Sequence, residues 1–192
     1  FQTTSLTGYL RNSVSGSNQM KPILTILSFL LLFCFAQLSK QELSDIDSLE
    51  KAIENAGNDT LKVKTIMLLD DIICTIDPDR DLKLNLWVNQ ISSVNLKGKL
   101  SRKEKRVFLR AKGYANNNIG TYYYYTGNLD SAEIYLTIGL QTFNQLNEIS
   151  AIATTYNNLS NVVSDKGDYV KAIDYLQKSV RLHEKSKNKD AM

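Results

Sequence analysis

From Asp45 onward, apolar residues recur three and four positions apart, in blocks separated by Gly, Asn, Asp and Pro. That is the period of helices with one apolar face. Asp45 to Asn55 reads as a short helix with Ile46, Leu49 and Ile53 on one side, preceded by a polar linker over Gln37 to Ser44 and stopped by Gly57-Asn58-Asp59. Thr60 to Ile76 carries Leu61, Val63, Ile66, Leu68, Leu69, Ile72 and Ile73, a strongly apolar helix. Asp77-Pro78-Asp79 ends it, because proline disfavours helix in the residue before it and opens the next helix well. Leu82 to Val94 returns, with Leu82, Leu86, Val88 and Ile91 directed inward. After Leu96-Lys97-Gly98, the stretch Ser101-Arg102-Lys103-Glu104 has the form of a capping box and opens a long helix through Tyr125.

Asn117 to Leu140 is then repeated as Asn157 to Val180 at a constant offset of forty residues. Asn117, Asn118, Gly127, Ala132, Tyr135 and Leu136 return as Asn157, Asn158, Gly167, Ala172, Tyr175 and Leu176. Each copy reads as a helical hairpin. Gly127 can end the first helix in the left-handed conformation and Asn128 can cap the second; Gly167 and Asp168 repeat the arrangement. Small residues stand where the helices must touch, with Gly120 facing Ala132 and Ser160 facing Ala172. Ile119, Tyr123, Tyr135, Leu136 and Leu140 close the rest of the seam. Self-similarity at a fixed period predicts a stack of such hairpins.

Ile119-Gly120, Tyr123, Gly127-Asn128-Leu129, Ala132, Tyr135-Leu136 and Gly139, with their counterparts Leu159-Ser160, Val163, Gly167-Asp168-Tyr169, Ala172, Tyr175-Leu176 and Ser179, resemble the tetratricopeptide repeat. The forty-residue spacing and the phrase Tyr156-Asn157-Asn158-Leu159 are similar to the extended variety found in kinesin light chains, in bacterial envelope proteins and in the sensor regions of some histidine kinases. The resemblance implies an all-α fold, an α-solenoid of antiparallel helix hairpins wound as a right-handed superhelix. On this reading residues 37–58 are a linker and short helix, 59–96 a degenerate hairpin without Gly or Ala at its crossing, and 101–147 and 150–187 two full hairpins. Residues 188–192 begin a further repeat, so the chain is expected to be a fragment of a longer protein.

In this family the first helix of each hairpin lines a concave groove that takes an extended peptide or a helix of another protein. The resemblance therefore places the partner-binding surface on Asn117, Thr121, Tyr124 and Tyr125 in one copy, and on Asn157, Asn161, Ser164 and Asp165 in the next. These positions share a helix face, and Asn amides can both donate to and accept from a ligand backbone. Tyr123 belongs to the core. For Tyr124 and Tyr125, packing between repeats and ligand contact both stand open, as do ligand contact and simple surface solvation for the Asn residues. Extracytoplasmic input to a signalling protein is the role implied, with a regulatory domain of an enzyme or transcription factor, or an envelope-assembly scaffold, as alternatives.

Charge changes little in this picture. The 192-residue chain has a net charge of +3. Arg11 and Lys21 are the only charged side chains before Ala36, so the remainder is nearly neutral, which gives no footprint for nucleic acid. Residues 1–19 are polar and read as a disordered or read-through leader. Met20, Lys21, the apolar run Ile23 to Phe35 and Ala36 before Gln37 fit a secretory signal peptide over 20–36. The run is shorter than the roughly 20 residues of a membrane span; an anchor or a lipid on Cys34 is the alternative. The expectation is an exported protein, periplasmic or in the cell envelope, meeting membrane only through export or a downstream anchor. Cys74, within Ile72-Ile73-Cys74, reads as a small buried hydrophobe.

Chemistry is not legible. The single His183 has no partners at metal or catalytic spacing and reads as a surface residue. No phosphate-binding glycine loop occurs, and Asp70 and Asp71 point to different sides of a helix. No catalytic residue, metal ligand or cofactor is assigned; the partner is a protein or peptide. The basic cluster Lys97, Lys99, Arg102, Lys103, Lys105, Arg106, Arg110 and Lys112 reads as a solvated face, with an acidic partner surface or anionic lipid as the sharper alternative.

Overall fold

The computed structural model describes residues 40–190, with side chains from 41 to 185. The leader, the signal peptide and Cys34 lie outside the described residues. The chain falls into two units, Phe1–Ser44 and Asp45–Met192; of the first, only the opening residues of a helix are described.

Seven helices and no strands occur among the described residues: α1 Lys40–Glu54, α2 Asp59–Ile73, α3 Pro78–Asn95, α4 Arg102–Tyr125, α5 Leu129–Leu146, α6 Ile149–Asp165 and α7 Tyr169–Asp190. From α2 on, each helix packs on the next. In addition α2 lies against α4, and α4 against α6. The second unit is thus an all-α solenoid of hairpins α2–α3, α4–α5 and α6–α7, with the first helices of successive hairpins side by side.

Local chemistry sets the hairpin turns. Gly127 and Gly167 adopt φ of 81° and 88°, a region open to glycine at no steric cost. In each turn two amides return to the end of the first helix. Asn128 N–H bonds Tyr123 O at 2.9 Å and Gly127 N–H bonds Tyr124 O at 3.0 Å; Asp168 and Gly167 repeat this with Val163 and Ser164 at 2.9 and 2.8 Å. This satisfies carbonyls that a helix end otherwise leaves open. The Asn128 and Asp168 side chains then cap the next helices, accepting from Ser131 N and Lys171 N. Ser101 and Glu104 form the reciprocal capping box. At the α4–α5 crossing a side chain on Gly120 would meet Leu136 Cγ at 2.7 Å and Ala132 O at 3.1 Å, so the close approach requires glycine there. Phe108, Ile119, Leu136, Phe143, Leu159 and Val162 are fully buried between these helices.

The first hairpin departs from the expected pattern. Val88 is buried as expected, but Leu86 is 39% exposed, and Asp81, Asn85 and Ser92 complete the buried stripe of α3. Asp81 and Asn85 occupy the inner face because they bond each other and Asp70 of α2, whereas the buried Ser92 hydroxyl has no hydrogen-bond partner among the described residues. In α2, Val63, Ile66, Leu69 and Ile73 are buried while Leu61 and Leu68 face solvent. Cys74 is exposed, not buried; it sits one residue beyond Ile73, at the helix end where the chain turns away from the core. Helix α1 begins at Lys40, inside the stretch expected to be linker, and buries Ile46 and Ile53. Helix α7 continues to Asp190, so residues 188–190 extend the outer helix where a new repeat was expected to begin.

Candidate partner-binding groove

The side-by-side placement of α2, α4 and α6 aligns their outward residues. Positions on α4 and α6 correspond at the forty-residue offset: Asn117 with Asn157, Asn118 with Asn158, Thr121 with Asn161 and Tyr125 with Asp165.

Of the expected groove residues, Asn157 and Asn161 are exposed one turn apart on α6. Asn117 and Thr121 are half-buried and already engaged. Asn158 Nδ2 donates to Asn117 Oδ1 at 3.3 Å and reaches Thr121 Oγ1 at 3.4 Å, with Thr155 Oγ1 3.2 Å from the same Asn117 oxygen. Tyr124 packs on the core formed by Ala132, Leu136, Leu159 and Val162. Its hydroxyl bonds Asp165, which raises the phenol's pKa, so Tyr124 and Asp165 tie α4 to α6. Ser164 is half-buried beside them. Tyr125 is 81% exposed.

Two clefts follow the seam between α2 and α4. One, about 810 Å³, is lined by Lys64, Met67, Leu68, Lys103, Arg106, Val107, Arg110 and Tyr114 as well as Asp70, Asp71 and Asn118. The other, about 740 Å³, shares those last three and continues over Pro78, Asp79, Asp81, Asn117, Thr121, Tyr122 and Tyr125.

Between them lies a polar network that sequence reasoning missed. Asn118 Nδ2 donates to Asp70 Oδ2 at 2.9 Å and Oδ1 at 3.1 Å. Asn85 Nδ2 donates to the same Asp70 carboxylate and to Asp81 Oδ1 and O, each at 3.1 Å. Burial, and then a hydrogen bond to Asp70, push the Asp81 carboxyl up to about 8. At neutral pH Asp81 therefore keeps its proton and donates it in a hydrogen bond to Asp70. Burial and the Asp70 charge also raise Asp71, and raise the Cys74 thiol, which is therefore no reactive thiolate. No cluster of three metal-ligating side chains occurs among the described residues. His183 is exposed. No described helix is long and apolar enough to cross a membrane.

Residues 113–185, from the middle of α4 into α7, match the family model described as tetratricopeptide repeat. Among curated proteins none matches the chain.

Proposed function

We propose that this chain, whose residues 113–185 belong to the tetratricopeptide repeat family, captures an extended segment of a partner protein along the aligned first helices α2, α4 and α6. Such repeats mediate protein–protein interaction. The observation that carries the reading is the α2–α4 seam, where Met67, Leu68, Val107, Tyr114 and Tyr125 offer apolar area beside the charged side chains of Lys64, Lys103 and Asp71. An extended peptide needs both: area for its side chains, and donors and acceptors for its backbone. A photo-crosslinking residue at position 125 or 161 should trap the partner, whereas one at position 145, on the exposed side of α5, should not. Trapping from 145 alone would move the surface to the second helices.

Within that reading the chain serves as the extracytoplasmic input region of a larger signalling protein. Support comes from Lys21, the apolar run Ile23 to Phe35 and Ala36 before Gln37, together with the resemblance to exported repeat proteins. N-terminal sequencing of the protein should begin at or near Gln37. Recovery of Met20-initiated protein from a soluble cytoplasmic fraction would sink this placement.

A further inference from the structure

The two clefts of the α2–α4 seam carry opposite charge. Lys64, Lys103, Arg106 and Arg110 line the first, against only the shared Asp70 and Asp71. Asp70, Asp71 and Asp79, together with the protonated Asp81, line the second with no Lys or Arg. Little of the basic charge is neutralised internally. Lys64 and Lys103 have no ion-pair partner among the described residues, and Arg106 meets Glu148 only at 3.3 Å with its own side chain 67% exposed. The cation nearest in sequence to the acidic end, Arg80, is already paired with Glu50. Each end also has a surface on which a charged side chain can lay its stem. At the basic end these are Met67, Leu68 and Val107; at the acidic end, Pro78 and the exposed ring of Tyr125. A cation over Tyr125 gains from the ring face as well as from Asp71 and Asp79.

From this geometry we infer that the groove selects an extended segment of dipolar charge, with an acidic block seated over Lys64, Lys103, Arg106 and Arg110 and a basic block over Asp71, Asp79 and Tyr125. The inference rests on the groove reading above and specifies its ligand. The spacing follows from α4 itself. Arg106 and Tyr122, whose hydroxyl bonds Asp79, stand sixteen positions apart on one helix. At 1.5 Å per residue that is about 24 Å, which an extended chain covers in about seven residues. A segment of one sign suits only one cleft and is repelled by the other, so the seam discriminates by charge order as well as by attraction.

The test is selection of a random display library of about twelve-residue peptides on the full chain, followed by fluorescence anisotropy of the enriched peptides. Enriched sequences should carry acidic and basic blocks about seven residues apart, and should bind about tenfold tighter than peptides of the same composition with the charges intermixed. Lys103→Glu with Arg106→Glu should lose that preference, as should Asp71→Lys with Asp79→Lys. Asp71→Asn, a change at an exposed residue, should weaken it in a chain whose circular dichroism is unaltered. Raising salt from ~0.05 to ~0.5 M should weaken binding, because exposed charges are screened. Enriched peptides without the charge pattern, yet lost on Tyr125→Ala, would overturn the charge inference and leave the groove reading standing. Peptides indifferent to every groove substitution would overturn both. Preference for uniformly acidic peptides or for nucleic acid would reduce the site to its basic cleft and overturn the inference.

Discussion

Asn118 of α4 grips both carboxylate oxygens of Asp70 on α2, at 2.9 and 3.1 Å. Forty residues on, Asn158 of α6 reaches back in the same way to Asn117 and Thr121 of α4, at 3.3 and 3.4 Å. In the recurring Asn-Asn pair, the second Asn is therefore the tie to the preceding hairpin. The first, as Asn117 shows, receives the tie from the hairpin that follows. The two rungs differ in kind, since one is charge-assisted and short while the other is neutral and long.

That difference can be measured. Hydrogen bonds to charged groups contribute ~1.5–3 kcal/mol and neutral ones ~0.5–1.5 kcal/mol. Urea denaturation of Asn118→Ala should show the larger loss, about 2 kcal/mol, and Asn158→Ala about 1 kcal/mol. Equal losses would mean that the Asp70 charge contributes nothing to the first rung.

Asp81 gives stability a pH dependence of defined sign. Its carboxyl holds a proton up to about 8 in the folded chain and ionises near ~4 when unfolded. Between those values the folded state binds more protons, so stability falls as pH rises through the window and levels off above it. Glu133, whose pKa is lowered by hydrogen bonds from Lys166 and Lys171, acts oppositely and removes stability only as pH falls below the usual carboxylate range. Asp81→Asn should therefore flatten the decline in Tm between about pH 4 and 8. An unchanged slope in that variant would remove the Asp81 proton from the account.

Much of the array was legible because its determinants are local. Gly127-Asn128, Gly167-Asp168 and Ser101 with Glu104 specify helix ends through backbone bonds within a few residues, and all three are found as read. Gly120 marks its own close approach. Helix α3 was misread because an apolar pattern equates polarity with exposure. Its inner stripe of Asp81, Asn85, Val88 and Ser92 is buried because Asp70 and Asn118, distant in sequence, complete the bonds of Asp81 and Asn85. Cys74 was misplaced because one residue beyond Ile73 turns a side chain by about 100°, from core to solvent. Asn117 appeared free for ligand because its acceptor role is fixed only when α6 packs beside α4.

Close packing at the α4–α5 crossing sets a third expectation. At Gly120 an added Cβ would meet the backbone of Leu136 at 3.0 Å and of Ala132 at 3.1 Å, neither of which can swing aside. Gly120→Ala should cost ~1–3 kcal/mol by overpacking. Gly127→Ala meets no atom within 4 Å but has φ of 81°, so its cost of ~1–2 kcal/mol is conformational. Gly57→Ala, with neither constraint, is the control and should stay within about 0.5 kcal/mol. If Gly120→Ala matched the control in thermal melting, the hairpin phase would be wrong.

The four consecutive tyrosines at the end of α4 separate stability from binding. Successive helix positions turn by about 100°, so the four rings point four ways. Tyr122 donates to Asp79 at 2.6 Å. Tyr123 stacks on Tyr135 with centroids 5.6 Å apart. Tyr124 enters the core around Leu136 and Val162 and bonds Asp165. Tyr125 alone projects into solvent at the acidic cleft. Tyr123→Ala removes a packed ring and should cost about 3 kcal/mol, the low end of aromatic core truncation because the ring is only half-buried. Tyr124→Phe keeps the packing and loses one hydrogen bond to the Asp165 carboxylate, about 1.5 kcal/mol. Tyr125→Ala should leave the melting point within the scatter of surface substitutions, about ±0.5 kcal/mol, and yet weaken capture of a groove peptide about tenfold, since it deletes exposed aromatic contact area. Melting curves and anisotropy on the same three proteins decide the matter. A Tyr125→Ala chain that binds as the parent does, or one that melts early, would show that this ring is not the groove's free contact.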